Sequence, residues 1–281
     1  MLGFINVYKP SGITSNKVIS SIKRKFRPSK IGHMGTLDPM AEGVLPIAIG
    51  NATRMFDYFL NKQKTYIATF EFGYETDTLD ATGNVIKTIE SIPSAIQVKE
   101  ILSSFIGINS QMPPKYSAKN IDGKRAYDLA RLGVDFELKP KDIEIFEFEY
   151  MEHSGNSYVF KITCSSGTYI RSIGRDLGYR LNSLATMTKL IRSKSGKFDM
   201  ADAVTLEDIE NSSNIEDLLV DVDSVFDYDS IKLDNENTLK LRNGMTIYSD
   251  LLDNYYFVYN DSNLIGVGEV ISNKLKLKTH F

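Results

Sequence analysis

Between Ile31 and Gly50 the chain reads IGHMGTLDPMAEGVLPIAIG. One carboxylate, Asp38, stands there among small and apolar residues, with Glu42 as its only acidic neighbour and His33 as its only basic-capable one. Two readings are open. Asp38 caps a helix that starts at Pro39, a common pairing. Or Asp38 is a nucleophile or base on a rigid loop. Pro39 biases it toward extended backbone, and Gly32, Gly35 and Gly43 permit tight turns and close approach of a ligand. A carboxylate acting alone excludes a two-acid glycosidase, unless a distant second acid folds in.

Other groups narrow the chemistry. Three histidines (His33, His153, His280) and one cysteine leave no metal-ligand spacing, so no metal is expected. His33 taken alone is an ordinary loop histidine. Cys164 follows an apolar run with no nearby histidine and reads as a small buried hydrophobe. In Ser165–Gly178, SSGTYIRSIGRDLG, Thr168 is a cap candidate, with Tyr169 and Arg171 in the first turn. An arginine there opposes the helix dipole at a cost of about 0.3–1 kcal/mol, which makes sense if a carboxylate meets it. Tyr66, in Lys64-Thr65-Tyr66, opens a strand. Glycine-rich phosphate loops are absent.

The elements that must hold these groups follow from periodicity. Phe4–Tyr8 is a strand, and Thr14 or Ser15 caps a helix running to about Phe26 with Val18, Ile19, Ile22 and Phe26 on one face. Further strands are expected over 43–50, 65–72, 141–150 and 158–163. Helices are expected over 51–60, 93–105, 168–181 and near 205–209. With no regular βαβ repeat, the class is α+β: a mixed, largely antiparallel central sheet flanked by helices. From Ile231 onward, short strands and turns predict a small β-barrel-like appendage. We place a first domain at 1–228 and a second at 229–281.

Net charge is −3, but it is unevenly spread. Met1–Leu37 has no acid and seven Lys or Arg, and Lys161–Lys197 is again basic. Phe198–Ile231 carries eleven acids and no Lys or Arg. Such blocks suit either a phosphate chain or solvated helix faces. A single cysteine and no signal-like or long apolar segment point to the cytoplasm, with no membrane contact.

Taken in order, these motifs resemble the TruB-type bacterial tRNA pseudouridine-55 synthases. The resemblance rests on Lys9-Pro10-Ser11-Gly12, on Gly32 to Pro39 with Gly43-Val44-Leu45-Pro46, and on Lys64-Thr65-Tyr66. It continues through Thr76-Asp77-Thr78 with Asp80 and Gly83, Pro113-Pro114, Tyr116-Ser117-Ala118, Gly123, Tyr127, Cys164-Ser165, Gly167 to Arg171, Leu190 and Arg192. It implies the pseudouridine synthase fold with a C-terminal PUA-like domain, and an RNA-arm-binding insertion at about 112–142.

It implies an RNA-modifying isomerase that flips uridine 55 out of the tRNA T-arm, breaks its glycosidic bond and rejoins the base through carbon, with no cofactor. Asp38 is then the catalytic aspartate, attacking C1′ or C6 or drawing off a ribose proton. Arg171 is its partner, since a guanidinium favours the charged carboxylate. Tyr66 stacks on the uracil and is a candidate base for the C5 proton. Leu190 walls the pocket, Tyr169 holds the base, His33 fills the gap left in the RNA stack, and Lys9 and Pro10 brace the site. Arg192, Lys115, Lys119, Lys124 and Arg125 are assigned to the RNA, on a segment expected to be mobile until RNA binds. No protein partner is implied, and a monomer is expected. The rivals are a non-catalytic tRNA-binding or folding chaperone on the same fold, a nucleoside hydrolase or transglycosylase, and a small-molecule enzyme.

Overall fold

The computed structural model describes the chain except residues 118, 119, 122, 127, 128, 130 and 131; at 120, 121, 124 and 125 it describes the backbone alone. Its central feature is a nine-stranded sheet. The main path runs Gly3–Lys9, Glu42–Ile49, Ala185–Ser195, Lys64–Phe72, Ser157–Cys164, Lys141–Ser154, Gly107–Gln111. Ile31–His33 and Phe198–Asp199 pair at its side. All these pairings are antiparallel except that of Glu42–Ile49 with Ala185–Ser195. The sheet is therefore mixed and largely antiparallel, as the sequence predicts.

Strand alternation sorts the apolar residues onto two faces. Ile5, Val7, Leu45 and Ile47 join a cluster containing Val18 and Ile22 of helix Ser15–Phe26, Val98 of Ala95–Ile101, and Ile173 and Leu177 of Ile170–Arg180. Phe4, Val44 and Ala48 point the other way, into a cluster with Phe59, Phe198 and Phe226. Phe257 and Val267 of a second, five-stranded sheet complete that cluster. Its strands are Asp229–Leu233, Ile247–Tyr248, Asn254–Asn260, Asn263–Ile271 and Lys274–His280, an arrangement consistent with a PUA-like domain. Burying each such phenylalanine contributes roughly 1.5–3 kcal/mol, so the second sheet is seated on the back of the first.

Several boundaries moved. Thr14 caps the first helix through its side chain, as expected, and Ser94 forms a capping box with Gln97. Thr168 does not cap: its hydroxyl donates to the Ser165 carbonyl at 2.9 Å, and the helix begins at Ile170. The predicted 51–60 helix is a 3-10 stretch, Gly50–Met55, followed by one α turn, Phe56–Phe59. LRNG in the C-terminal part is not strand but the end of helix Asn235–Arg242, capped by Asp234, with Gly244 in the left-handed region. Ile31–His33, Gly107–Gln111, Ala185–Ser195 and Phe198–Asp199 in the main sheet were not foreseen, nor were Tyr74–Thr76 and Val85–Thr88, which form a small hairpin outside it.

Candidate active site

No helix follows Asp38. Its carbonyl accepts from Ala41 N–H at 3.1 Å, a tight turn that leads directly into strand Glu42–Ile49. The capping alternative is therefore out, and Asp38 sits on a loop. That loop has a complete account of its backbone acceptors. Arg192 donates to the carbonyls of Gly35 (3.0 Å) and Thr36 (3.5 Å), and also to Val44 (2.7 Å). The Ser15 hydroxyl donates to Leu37 O (3.1 Å) and accepts from Leu37 N–H (3.0 Å). Pro39 O accepts from Gly12 N–H (2.8 Å) and Lys9 Nζ (3.3 Å), and Met40 O from the Ser11 hydroxyl (2.8 Å). Every carbonyl from Gly35 to Met40 has a donor, and the Lys9-Pro10-Ser11-Gly12 turn supplies three of them.

Arg171 reaches Asp38 from helix Ile170–Arg180, Nη2 to Oδ2 at 2.9 Å. Gln111, on the edge strand, fixes that helix start: Tyr169 N–H donates to its Oε1 at 2.8 Å, and its Nε2 donates to Tyr169 O at 3.1 Å. Arg171 also donates to Thr78 O and Tyr116 O, each at 3.1 Å. Its Nη1 lies 3.4 Å from Asp80 Oδ2. A distant second acid has thus folded in. Asp80 is buried, and its Oδ1 accepts from Thr78, from Thr82 N–H and from the Thr82 hydroxyl. It faces the guanidinium from behind and does not line the pocket, whereas 37% of the Asp38 side chain is exposed. The sequence gives Asp38 one charged partner; the structure gives Arg171 two.

The pocket beside Asp38 holds about 270 Å³, at the lower end for a small-ligand site, and suits one nucleoside. Tyr66, Tyr169, Leu190, Leu60, Lys64 and Ser166 line it with Asp38 and Arg171. Arg192 lies directly across from Tyr66 in the sheet register. Burial pushes the Tyr66 phenol up to about 12, so it carries its proton at neutral pH. Burial likewise pushes the Cys164 thiol up to about 11, which suits the inert reading.

The remaining expected residues divide. Lys9 is fully buried, and besides Pro39 O it donates to Pro10 O and Ile13 O; burial lowers its pKa to about 8. It is a brace, enclosed by carbonyl oxygens. Arg192 needs a correction. It is 1% exposed and braces the Asp38 loop through backbone carbonyls, while it also lines the pocket and bonds the Tyr66 phenol, so it is not a surface phosphate contact. Pro10 is half-buried in the bracing turn. His33 lies in strand Ile31–His33 and opens on a neighbouring hollow with Lys23, Ser29, Lys30 and Thr53; Met34 lines both hollows. Burial and then the Arg192 charge lower the His33 pKa. Lys115 is exposed. Lys119 lies outside the described residues, and Lys124 and Arg125 are described only as backbone of a short strand. The segment expected to be mobile contains all seven residues outside the described set. Sequence reasoning missed Asp80, Gln111, Lys64 and Ser166. Asp80 and Lys64 were visible as parts of motifs, but nothing in the sequence showed what they would touch.

The sequence model described as TruB family pseudouridylate synthase, N-terminal domain, matches residues 23–170. The chain belongs to the TruB family. A second model, the tRNA pseudouridylate synthase B C-terminal domain, matches residues 171–227 and ends just before the five-stranded sheet. The chain is 39% identical over 287 aligned residues to tRNA pseudouridine synthase B of Clostridium tetani, covering 99% of this chain and 98% of that one. It is 38% identical to the protein of the same name from Aquifex aeolicus, covering 99% of each. Among solved structures, a Cbf5-Nop10-Gar1 complex contains a chain that superposes with a TM-score of 0.75 at 20% identity, over 99% of this chain and 84% of that one. At that identity the likeness speaks for the fold alone. As a TruB-family member the chain is a pseudouridylate synthase. No helix among the described residues is long and apolar enough to cross a membrane.

Proposed function

We propose that this TruB-family enzyme acts on tRNA, isomerising uridine 55 of the T-arm to pseudouridine. The observation that carries the proposal is the Asp38–Arg171 pair, 2.9 Å apart, opening on a pocket of one-nucleoside size walled by Tyr66 and Leu190. The target base leaves its stack and enters that pocket, at a cost of a few kcal/mol that stacking and phosphate contacts offset.

Asp38 is the carboxylate that acts on the nucleoside, at C1′, at C6 or on a ribose proton. Rejoining through C5 leaves nothing to hydrolyse, so no second acid has to serve a leaving group and no cofactor is called for. Arg171 aims the carboxylate and offsets its charge. The Tyr66 ring stacks on uracil. With its phenol held up to about 12 it gives no phenolate at neutral pH, so any role in taking the C5 proton runs through the neutral oxygen or a water. Leu190 closes the apolar side, and Tyr169 steadies the base. His33, from the adjoining hollow, fills the stack that the uridine leaves. Lys115, Lys119, Lys124 and Arg125 of the 112–142 insertion meet the RNA arm. We place the domain division at 228/229, with the C-terminal PUA-like unit assisting RNA binding, and the protein in the cytoplasm as a monomer.

The test is pseudouridine mapping on a tRNA treated with wild type and with Asp38→Asn. Wild type is expected to modify position 55 and release no free uracil. The variant is expected to bind tRNA with a similar Kd and form no product. Wild type that binds tRNA but forms no pseudouridine would point to the chaperone reading, unchanged turnover in Asp38→Asn would remove Asp38 from the chemistry, and free uracil would point to a hydrolase.

A further inference from the structure

The wall of the pocket contains a cation with no anion. Lys64, the first residue of strand Lys64–Phe72, is buried at 6% exposure and lines the pocket. Its Nζ donates to the Ser166 hydroxyl and, at 3.4 Å, to Lys62 O. A lysine ammonium has three protons, so these bonds leave one. A second ammonium approaches the same turn from outside. Lys141 Nζ lies 2.6 Å from where a Cβ on Gly167 would stand, and Gly167 itself has φ +80°. Among the described residues neither lysine forms an ion pair, while Lys189, Lys194 and Lys197, on or just after the strand paired with Lys64–Phe72, all do. Ser166 and Gly167 lie between the two ammonium groups and line the pocket with Lys64.

A buried charge without a partner is costly unless something neutralises it. The buried amine shows that cost: burial, then the Arg192 charge, lowers the Lys64 pKa to about 8, which leaves it mostly protonated at pH 7. Lys9, with the same pKa, differs in having three carbonyls around it. The ligand that suits two ammonium groups at one turn, with a hydroxyl beside them, is a singly charged tetrahedral anion. A flipped nucleotide brings one, because its backbone follows it to the pocket mouth.

We propose that Lys64, Ser166 and Lys141 form a subsite for one phosphodiester of the RNA strand that carries the target uridine, holding the backbone while the base sits against Asp38. The inference rests on the RNA-modifying function proposed above and adds the contact that positions the strand.

The experiment uses the full chain and a series of T-arm stem-loop RNAs, each with one uncharged methylphosphonate linkage near the target uridine. With native RNA, Lys64→Met is expected to raise KM roughly ten- to a hundredfold, the scale of a lost hydrogen bond to a charged group. At one linkage, wild type is expected to lose the same factor while Lys64→Met loses nothing further. Lys141→Gln, at an exposed site, is expected to lose roughly two- to fivefold and to couple to the same linkage. If the effects of substitution and neutral linkage simply multiply at every position, the subsite is refuted. Should Lys64→Met fail to fold, coupling or its absence in Lys141→Gln decides by the same criterion. Wild type that forms no pseudouridine on native RNA overturns the function itself and this inference with it; product without coupling overturns the subsite only.

Discussion

Two walls of one pocket use buried cations in opposite ways. On the Asp38 side, Lys9 and Arg192 are enclosed and surrounded by carbonyl oxygens, and with Ser11, Ser15 and two backbone N–H groups they satisfy six consecutive backbone acceptors. On the Ser166 side, Lys64 is nearly as enclosed but has only a hydroxyl and one long carbonyl contact. The first wall is finished without substrate. The second has capacity left over. Burial and residue type are alike in the two places; the count of acceptors separates a structural cation from one that waits for a ligand.

That contrast is breakable. The largest expected effect is on the finished wall. Arg192→Met strands the carbonyls of Gly35, Thr36 and Val44, and should cost about 3 kcal/mol of stability. A urea midpoint reads it. Lys64→Met should shift that midpoint by less than about 1 kcal/mol and show its effect in KM instead. Equal stability losses would erase the distinction between the walls. Next comes the ring between them. Tyr66→Phe keeps the stacking face and removes the oxygen, so KM should change less than about threefold while kcat falls about a hundredfold if that oxygen helps move the C5 proton. An unchanged kcat leaves Tyr66 with stacking alone.

Smaller again is Ser15→Ala, which removes both hydrogen bonds to Leu37 and should cost about 1–2 kcal/mol, with a matching drop in thermal midpoint. The smallest effect is a pH dependence. Lys64, with a pKa lowered to about 8, is charged below that pH and neutral above it, so its grip on an anion is present at pH 7 and lost as pH rises past 8. KM should rise a few-fold between pH 7 and 9 in wild type and less in Lys64→Met. Tyr66 at about 12 and Cys164 at about 11 do not titrate in that window. Lys9 does, at about 8, but it faces loop carbonyls in both proteins, so the difference between them isolates Lys64.

Local signals were readable where the chain stabilises itself locally. Thr14 and Ser94 cap helices because each side chain meets a backbone N–H three residues on. The alternation of Phe4, Ile5 and Val7, or of Val44 and Leu45, announces strands buried on both faces. Helix Asn235–Arg242 was misread because only Thr238 and Leu241 are buried along it, too few to mark a helical period. Thr168 looked like a cap, but its hydroxyl closes the preceding turn instead, and Gln111 from a distant strand holds the helix start.

By itself the sequence determined the ingredients of the site: a loop with one aspartate, a tyrosine opening a strand, an arginine at a helix start, and their order along a family pattern. Only the tertiary structure decided which groups meet. It brought Asp80 behind Arg171, turned Arg192 inward as a brace, and set Lys64 and Lys141 on either side of one turn. The physical reason is distance. Caps and strand periods are contracts between residues a few positions apart, whereas the partner of a buried charge is chosen by whatever the fold carries to within about 4 Å, from 93 positions away for Thr78 or 157 for Gly35.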